Sequence, residues 1–492
     1  MKSRQIKRTW GTLALLPVFL LALAGGSAKA HPTSFATGSL IIPMDTTYQN
    51  MGMWKAYGLV YRLNKSGVPV RWAISRTKSW NGIDFTATTV DQRTGAVINS
   101  GNPYDYRGGP FIIDSADAAA ALPIISAWWG AQANQPTVHR ATAAFTADID
   151  IVLKRAPEIA VEATNFSIAS AYFTAAGIPD MNGNAWSTLS PNVMTQTSIA
   201  NGGLFLNSAC SPRKFDVFVT PHNSGYAYSL TDPNNLGTKT YQQLDYFVFQ
   251  GGGWIALCHS ILSNENAIAD LYRNSTPAVR AMFASSVNSG FLTQAGFTTI
   301  ANGAGTYTVP PEGARQPVGQ AVPTVPAQAL PGGSVQTWNR STVSYLPGVE
   351  NIAWFQNGAI INDHVINGVY HGGDGRGKMT FIGGHSFATS LPYSGNYEAP
   401  YLRFFYNALF FNGAAVANVG LETSPATIPM GNTVPVTVKL RNTGASTATF
   451  VDNLAITLEP GVTYLGMASG PTPTVSYDGG KTILTFAPLG DV

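Results

Sequence analysis

The chain has 492 residues, with 29 Lys and Arg against 26 Asp and Glu and a formal net charge of +3. Charged residues make up only 11% of it, well below the roughly 25% of an average globular domain. Because four of the cations lie among the first eight residues, the rest of the chain is close to neutral, which argues against a nucleic-acid partner and against an anionic membrane surface.

The first thirty residues predict a secretory signal peptide. Residues 2–8 are basic, residues 11–24 are apolar, and Ala28 and Ala30 form the A-x-A pattern of a cleavage site. The apolar run is shorter than the ~20 residues of a transmembrane helix, and no later segment is long and apolar enough to span a bilayer. We therefore expect cleavage after Ala30, no membrane span in the mature chain, and a secreted, periplasmic or cell-surface location.

Residues 31–154 predict an N-terminal α/β portion. An apolar strand at 39–44, an amphipathic helix at 53–65 and a strand at 68–74 make a β-α-β pattern. Parallel strands joined by a helix favour a sheet covered on both faces. Two further strands and an alanine-rich helix are expected at 83–90, 109–114 and 115–130.

Strands and helices alternate again from about residue 148 to residue 412. Strands are predicted at 148–153, 158–163, 214–221, 254–258 and 378–384. Helices are predicted at 167–178, where Gly177 and Pro179 mark the end, at 240–250, from about 260, and at 397–411. Residues 302–335 lack periodicity and are expected to be a long excursion. The alternation predicts an α/β domain at 155–412.

From about residue 416 the helical pattern vanishes. Strand-like segments alternate with GN, NTG, PG and DGG turns, which is typical of an all-β module. We expect an immunoglobulin-like β-sandwich at 416–492, incomplete because it is shorter than the usual ~100 residues. The chain stops shortly after a strand, so a fragment of a longer surface protein is expected.

The sharpest local feature is the segment FQGGGWIALCHSI, in which a buried strand leads directly into Cys258, His259 and Ser260. A nucleophile at a strand-to-helix turn, with small residues two positions before and after it, forms a nucleophile elbow. Here those positions hold Ala256 and Ser260. A helix starting behind the cysteine would lower the pKa of its thiol.

The segment resembles the class I glutamine amidotransferase-like superfamily, in particular the intracellular-protease-like and deglycase-like branch. DVFVTPH resembles that superfamily's strand and loop before the elbow, and KMTFIGGHS resembles its late strand that delivers a histidine, as in the trehalose-utilisation-like branch. Glu162 stands where the deglycase-like branch keeps an acidic partner. The resemblance covers 155–412 and, more loosely, 39–154. It implies a flavodoxin-like, doubly wound, mostly parallel sheet.

The resemblance also implies roles for individual residues. Cys258 would be the nucleophile, His385 or His259 the base, and Glu162 an orienting group or partner of the thiolate. The amide of His259 and the 222–225 loop would face the oxyanion. The expected ligand-binding or oxyanion-loop residues are His222, Asn223 and Tyr226. The chain departs from the family here, because His222 and Asn223 replace the glycines of the oxyanion hole.

Two alternatives remain for Cys258. It is a small apolar core residue, or it forms a disulfide with Cys210, as cysteine pairs in exported proteins often do. The predicted sheet argues against the disulfide, because the two cysteines would lie at opposite edges, roughly 15–20 Å apart at ~3.3 Å per residue. A disulfide requires Cα atoms within about 7 Å.

The histidines, together with nearby aspartates, raise the hypothesis of a metal site. No two of them show a compact ligand spacing, so no metal and no cofactor is predicted. The residues considered were His222, His259, His364, His371 and His385, with Asp363 and Asp374.

Two functions are compatible with these observations. The first is an exported or cell-surface protein whose amidotransferase-like domain is non-catalytic and serves binding or structure, with a small-molecule or glycan ligand and surface assembly through the β-sandwich. The second is a secreted cysteine hydrolase or amidase that uses Cys258 as nucleophile. Export favours the first, because a free thiol is vulnerable in an oxidising compartment.

Overall fold

The computed structural model describes most of the chain from His31 onward. The described residues are 31–206, 213–283, 291–292, 297–300, 304–320, 328–329, 335–339, 344–346, 348–357, 360–370, 377–394, 399–414, 417–423, 436–442, 449–450, 454–458, 472–478, 481–486 and 490–491. The predicted signal peptide, Cys210, His371 and Asp374 lie outside these ranges.

The N-terminal elements follow the predicted order closely. They are β1 (His31–Phe35), β2 (Leu40–Ile42), α1 (Thr46–Gln49), α2 (Met53–Lys65), β3 (Val70–Ala73), β4 (Ile83–Ala87), β5 (Thr89–Asp91), β6 (Tyr104–Arg107), β7 (Phe111–Ile113), α3 (Ser115–Ala131), β8 (His139–Ala141) and β9 (Phe145–Leu153).

Seven of these strands form one sheet in the order β1-β9-β3-β7-β2-β8-β5. All of its pairings are antiparallel. The predicted β-α-β pattern of β2, α2 and β3 is present, but β7 lies between the two strands and runs opposite to both. A crossover helix sets the relative direction of two strands without making them neighbours. The parallel sheet predicted for this portion is therefore wrong.

The second set of elements runs from residue 159 to residue 413. It comprises β10 (Ile159–Glu162), α4 (Phe166–Ala176), β11 (Val193–Met194), α5 (Gln196–Ala200), β12 (Val217–Thr220), α6 (Leu236–Phe249), β13 (Gly253–Leu257), α7 (Ala269–Asn274), α8 (Pro277–Arg280), β14 (Phe297–Ile300), β15 (Ala304–Thr308), α9 (Pro311–Ala314), β16 (Gln328–Ala329), β17 (Val335–Asn339), β18 (Val349–Asn357), β19 (Ile360–Tyr370), β20 (Met379–Ile382) and α10 (Ala399–Gly413).

These strands form an eleven-stranded mixed sheet with the path β11-β10-β12-β13-β20-β19-β18-β15-β16, to which β14 and β17 are added. The pairings from β11 to β20 are parallel. The pairings beyond β20 are antiparallel. The doubly wound, mostly parallel fold is therefore wrong, and so is the assignment to the class I glutamine amidotransferase-like superfamily that implied a flavodoxin-like sheet.

The strands after residue 416 form small antiparallel sheets. They are β21 (Ala417–Thr423), β22 (Val436–Asn442), β23 (Thr449–Phe450), β24 (Leu454–Leu458), β25 (Thr474–Asp478), β26 (Lys481–Phe486) and β27 (Gly490–Asp491). β21 pairs with β22, β23 with β27, and β26 lies between β24 and β25. The chain divides into two compact units, and the strands from Thr449 onward belong to a different unit from residues 28–448. The domain boundary expected at 416 stays a prediction.

The core of the larger unit surrounds α2. The sequence predicts one apolar face for this helix, but ten of its thirteen residues are buried. Gly58 permits this close packing, because a Cβ atom there would lie 2.0 Å from the carbonyl oxygen of Ala176 at the end of α4. The Tyr57 hydroxyl donates to Asn407 Oδ1 of α10 at 2.6 Å. α2 thus packs against helices that cover the mixed sheet. Among the described helices, none is both long and apolar enough to cross a membrane.

Candidate functional site

The site lies at one edge of the parallel strands. Glu162 is the last residue of β10, and Cys258 follows β13 directly. His222 stands two residues after β12, and His385 three residues after β20. Because parallel neighbours end at the same edge of a sheet, the four side chains are delivered to one place.

Cys258 has a left-handed backbone with φ 50°. A residue with a Cβ atom pays roughly 1–2 kcal/mol for this conformation, and such strain is concentrated at functional sites. The turn directs Sγ to a position 3.2 Å from Nδ1 of His259. The elbow positions Ala256 and Ser260 are both buried, as is Cys258 itself. The local geometry is that of a nucleophile elbow carrying a thiol–imidazole pair.

The helix expected behind Cys258 is not a regular one. The chain makes a 3₁₀ turn at Cys258–Ile261, a π-helical segment at Ser263–Ile268, and only then the short α7. The chain is nevertheless helical from Cys258 to Asn274. The predicted stabilisation of a thiolate by a helix N-terminus stays a prediction, and His259 is the polar group that contacts the thiol.

Three histidines pack together beside the thiol. The ring centroids of His222 and His385 are 4.1 Å apart, and those of His222 and His259 are 5.1 Å apart. Burial lowers the pKa of all three, and for His385 it lowers the pKa to about 4, with His222 and His259 adding to the effect. The cluster therefore presents neutral imidazoles. In the described part of the chain, Nδ1 of His222 and Nδ1 of His385 are buried without a hydrogen-bond partner.

One ligand atom each of His222, Cys258 and His259 lies within 4.8 Å of the other two. Sulfur and imidazole nitrogen are the donors that zinc and copper prefer in proteins. Within the part of the chain that the structure describes, these three residues are accordingly able to hold a metal ion. His364, by contrast, lies in β19 opposite Phe355 of β18.

Glu162 forms a second polar group next to the histidines. Its Oε1 accepts hydrogen bonds from Asn223 Nδ2 and from the Tyr226 hydroxyl. Burial raises the pKa of Glu162 to about 7, while the hydrogen bonds from Tyr226 and Asn223 oppose that shift. Its Oε2 is buried and accepts no hydrogen bond from the residues that the structure describes. Glu162 is therefore a carboxyl group that exchanges a proton near neutral pH.

The 222–225 loop joins the two groups. The Asn223 amide donates to Ser260 Oγ at 2.8 Å, which ties the loop to the elbow. The Gly225 amide donates to Asn223 Oδ1 at 2.9 Å. Gly225 has φ 119°, and a Cβ atom there would lie 2.8 Å from the Tyr241 hydroxyl, so glycine is required. Two amides of the predicted oxyanion loop are thus already used in holding the loop together.

The residues to which the resemblance assigns a catalytic or ligand-binding role all lie at this edge of the sheet, in two groups connected through Asn223 and Ser260. They are Cys258, His259, His385, Glu162, His222, Asn223 and Tyr226. Their chemical roles stay predictions. The sequence reasoning missed the residues that hold the histidine backbones in place. Asn165 donates to the His222 carbonyl and the Tyr172 hydroxyl to the His385 carbonyl. Asn165 immediately precedes α4 and Tyr172 lies in its interior. The apolar periodicity of this helix indicates only that it packs against a core.

Comparison with known proteins does not identify a family. No family model matches the chain, and no curated protein matches it. Similar solved structures include a thuA-like protein from Bacteroides uniformis, with 12% identity, TM-score 0.29, and coverage of 51% of this chain and 89% of that one. A cytoplasmic protein from Salmonella typhimurium has 13% identity, TM-score 0.26, and coverage of 45% and 80%. A GH42 beta-galactosidase has 11% identity, TM-score 0.26, and coverage of 76% and 43%. At these TM-scores neither fold nor function is transferred.

Proposed function

We propose that this chain is an exported hydrolase that cleaves an amide or ester bond with Cys258 as its nucleophile. The observation that carries the proposal is the left-handed elbow of Cys258, which holds Sγ 3.2 Å from Nδ1 of His259. A thiol within hydrogen-bond reach of an imidazole is the arrangement of an activated cysteine nucleophile. The predicted signal peptide supports export of the protein.

The proposed reaction needs no group beyond the chain, the substrate and water. His259 takes the thiol proton as Sγ attacks the substrate carbonyl carbon, which gives a tetrahedral oxyanion. When the intermediate collapses, the bond to the leaving amine or alcohol breaks and His259 returns the proton to it. Water then attacks the thioester, with His259 taking its proton, and the acid is released as Cys258 regains the proton.

We assign the oxyanion contact to the backbone amide of His259. The Asn223 and Gly225 amides donate to Ser260 and Asn223, so they serve to hold the 222–225 loop. The residue after the nucleophile supplies an oxyanion donor in other elbows. Glu162, Asn223 and Tyr226 position this loop, and with it His222, against the elbow.

A second candidate is ligand binding without catalysis, which is the function we favour from the sequence alone. The observation that favours it is the burial of Cys258, whose side chain exposes 0% of its surface. A nucleophile must be reached by its substrate, and a wholly covered thiol is also what a core cysteine shows.

Alkylation of the folded protein distinguishes the two candidates. If the protein is a hydrolase, Cys258 should react with iodoacetamide at neutral pH faster than an unperturbed cysteine does. C258S should then lose this labelling and also the turnover of a panel of chromogenic esters and amides. C210S is the matched control and keeps both. A Cys258 that is alkylated only after denaturation would contradict the hydrolase and support the binding protein.

A further inference from the structure

We propose that Cys258, His259 and His222 form a binding site for a single Zn²⁺ ion. The proposal goes beyond the hydrolase and does not depend on it. It rests on the kind of donor atoms gathered here, on their separations, and on buried nitrogens that lack a partner.

The donor set suits zinc and excludes the hard cations. One thiolate sulfur and two imidazole nitrogens are characteristic zinc ligands, whereas Ca²⁺ and Mg²⁺ take oxygen ligands. Glu162 Oε1, which contacts Asn223 of the 222–225 loop, already accepts hydrogen bonds from Asn223 and Tyr226, and neither oxygen of Glu162 belongs to the group of three ligand atoms. The site therefore presents nitrogen and sulfur to an ion.

The separations fit a tetrahedral ion with small movements. Zn–S and Zn–N bonds of about 2.3 Å and 2.0–2.1 Å place a sulfur and a nitrogen ligand about 3.5 Å apart. Cys258 Sγ and His259 Nδ1 are 3.2 Å apart. All three ligand atoms lie within 4.8 Å of one another, so the largest separation has to close by at most about 1.3 Å to reach that spacing. Rotation of an imidazole side chain covers such a distance.

An independent observation points to an additional partner at this place. Nδ1 of His222 is a buried polar atom without a hydrogen bond within the described residues, and so is Nδ1 of His385, whose ring packs on that of His222. Buried polar atoms without a partner are rare, and an ion is one of the reasons for them. His385 supports His222 through the packing of the two rings.

The sequence hides such a site because its ligands come from separate strands. His222 follows β12, while Cys258 and His259 follow β13. Ligands that come from the ends of different strands are far apart in the sequence, so they show no H-x-x-x-H or C-x-x-C spacing. Zinc would occupy the sulfur and the Nδ1 atom that the hydrolase uses, and binding would release the thiol proton to solvent, so zinc-bound protein would be inactive.

Metal binding to the chain without its predicted signal peptide, residues 31–492, tests the proposal. After treatment with a chelator, we expect one Zn²⁺ per chain by equilibrium dialysis, and with Co²⁺ as probe we expect a sulfur-to-cobalt charge-transfer band. C258S removes the band, and H222A and H259A weaken binding by about tenfold or more. C210S is the control for loss of a thiol and should bind zinc like the wild type. Mg²⁺ is the control for the metal and should not bind at this site.

The proposed zinc site would be contradicted if C258S and H259A bound as much zinc as the wild type. It would also be contradicted if the cobalt complex of the wild type lacked the charge-transfer band. Circular dichroism of each variant separates loss of the site from loss of the fold. Alkylation distinguishes this proposal from the hydrolase. Zinc that binds to a protein whose metal-free Cys258 is unreactive supports the metal site alone. A reactive Cys258 that zinc does not protect from iodoacetamide contradicts the metal site alone.

Discussion

Cys258 adopts a left-handed backbone conformation, and this conformation brings its Sγ within 3.2 Å of Nδ1 of His259. The geometry of the pair is therefore obtained at a cost in backbone strain. Since glycine adopts positive φ without that cost, the strain can be measured by substitution.

We predict that C258G is more stable than C258A by about 1 kcal/mol, although glycine normally stabilises a folded chain less than alanine does. The free energy of unfolding of both variants is measured by urea denaturation. Ala256 in β13 provides the matched control, since A256G should lose about 1 kcal/mol. If C258G is less stable than C258A by as much as A256G is less stable than the wild type, the Cys258 conformation is not strained.

The hydrogen bond from Tyr226 to Glu162 opposes the rise in the Glu162 pKa caused by burial. We predict that Y226F raises the pKa of Glu162 above its value of about 7, because the ionised carboxylate loses a donor. The measurement is a carboxyl ¹³C titration by NMR. Y228F is the control, since the Tyr228 hydroxyl donates to Asp270 and not to Glu162. An unchanged Glu162 titration in Y226F would contradict the assigned bond.

Much of the secondary structure could be predicted from local patterns. Helix α2 begins and ends at the predicted residues 53 and 65, because its apolar spacing and the glycine after it both act locally. The strands leading to Glu162 and Cys258 were predicted for the same reason. Strand order was not predictable in this way. The insertion of β7 between β2 and β3 depends on contacts between segments far apart in the chain.

The long β18–β19 hairpin is a second feature of the fold that local sequence patterns did not predict. β18 and β19 were not predicted at all, yet they convert the mixed sheet from a parallel to an antiparallel arrangement after β20. For the site, the family resemblance supplied Cys258, His222 and His385 as candidates, and the parallel pairing of their strands explains why they lie at one edge of the sheet. The supporting contacts from Tyr172 and Asn165 could not be read from the sequence, because a packed helix residue and a residue that anchors a backbone look alike there.

Gly58 and Gly130 are both helical glycines with different surroundings. A Cβ atom at Gly58 would lie 2.0 Å from the Ala176 carbonyl oxygen and 2.8 Å from Trp128, whereas a Cβ atom at Gly130 would meet nothing within 4 Å. We predict that G130A stabilises the protein by about 0.5–1 kcal/mol through helix propensity. G58A should instead destabilise it by about 1–3 kcal/mol, because α2 must move away from α4. Thermal unfolding of the two variants measures both; stabilisation by G58A would refute the close packing.

Arg403 is a fully buried cation that joins α10 to the loops of the antiparallel sheet. It donates to the Met44 carbonyl at 2.7 Å, to the Tyr57 hydroxyl at 3.1 Å, and to the Gly108 carbonyl. We predict that R403M lowers the free energy of unfolding by about 3 kcal/mol or more, since these acceptors are left buried and unsatisfied. R140M, on the exposed side of β8, should stay within about 0.5 kcal/mol of the wild type. Equal effects of the two substitutions on urea denaturation would contradict the role given to Arg403.

Glu265 is a second buried carboxyl group, and the exposed guanidinium of Arg273 is close enough to lower its pKa. Burial raises its pKa to about 7, although its oxygens accept hydrogen bonds from the amides of Phe291 and Leu292, which lower it. Because the folded protein binds this proton more tightly than the unfolded chain, the proton stabilises the fold below a pH near the ordinary value of 4.5. That stabilisation is lost as pH rises from there to about 7.

We therefore predict that the stability of the wild type relative to E265Q falls between these two pH values, by an amount on the order of 3 kcal/mol. E265Q stays neutral throughout and loses one acceptor for a backbone amide, which lowers its stability by about 1–2 kcal/mol at the acid end. Urea denaturation at a series of pH values gives the difference, in which the titration of all other groups cancels. A flat difference would mean that Glu265 is ionised in the folded protein, with the amides of Phe291 and Leu292 outweighing its burial.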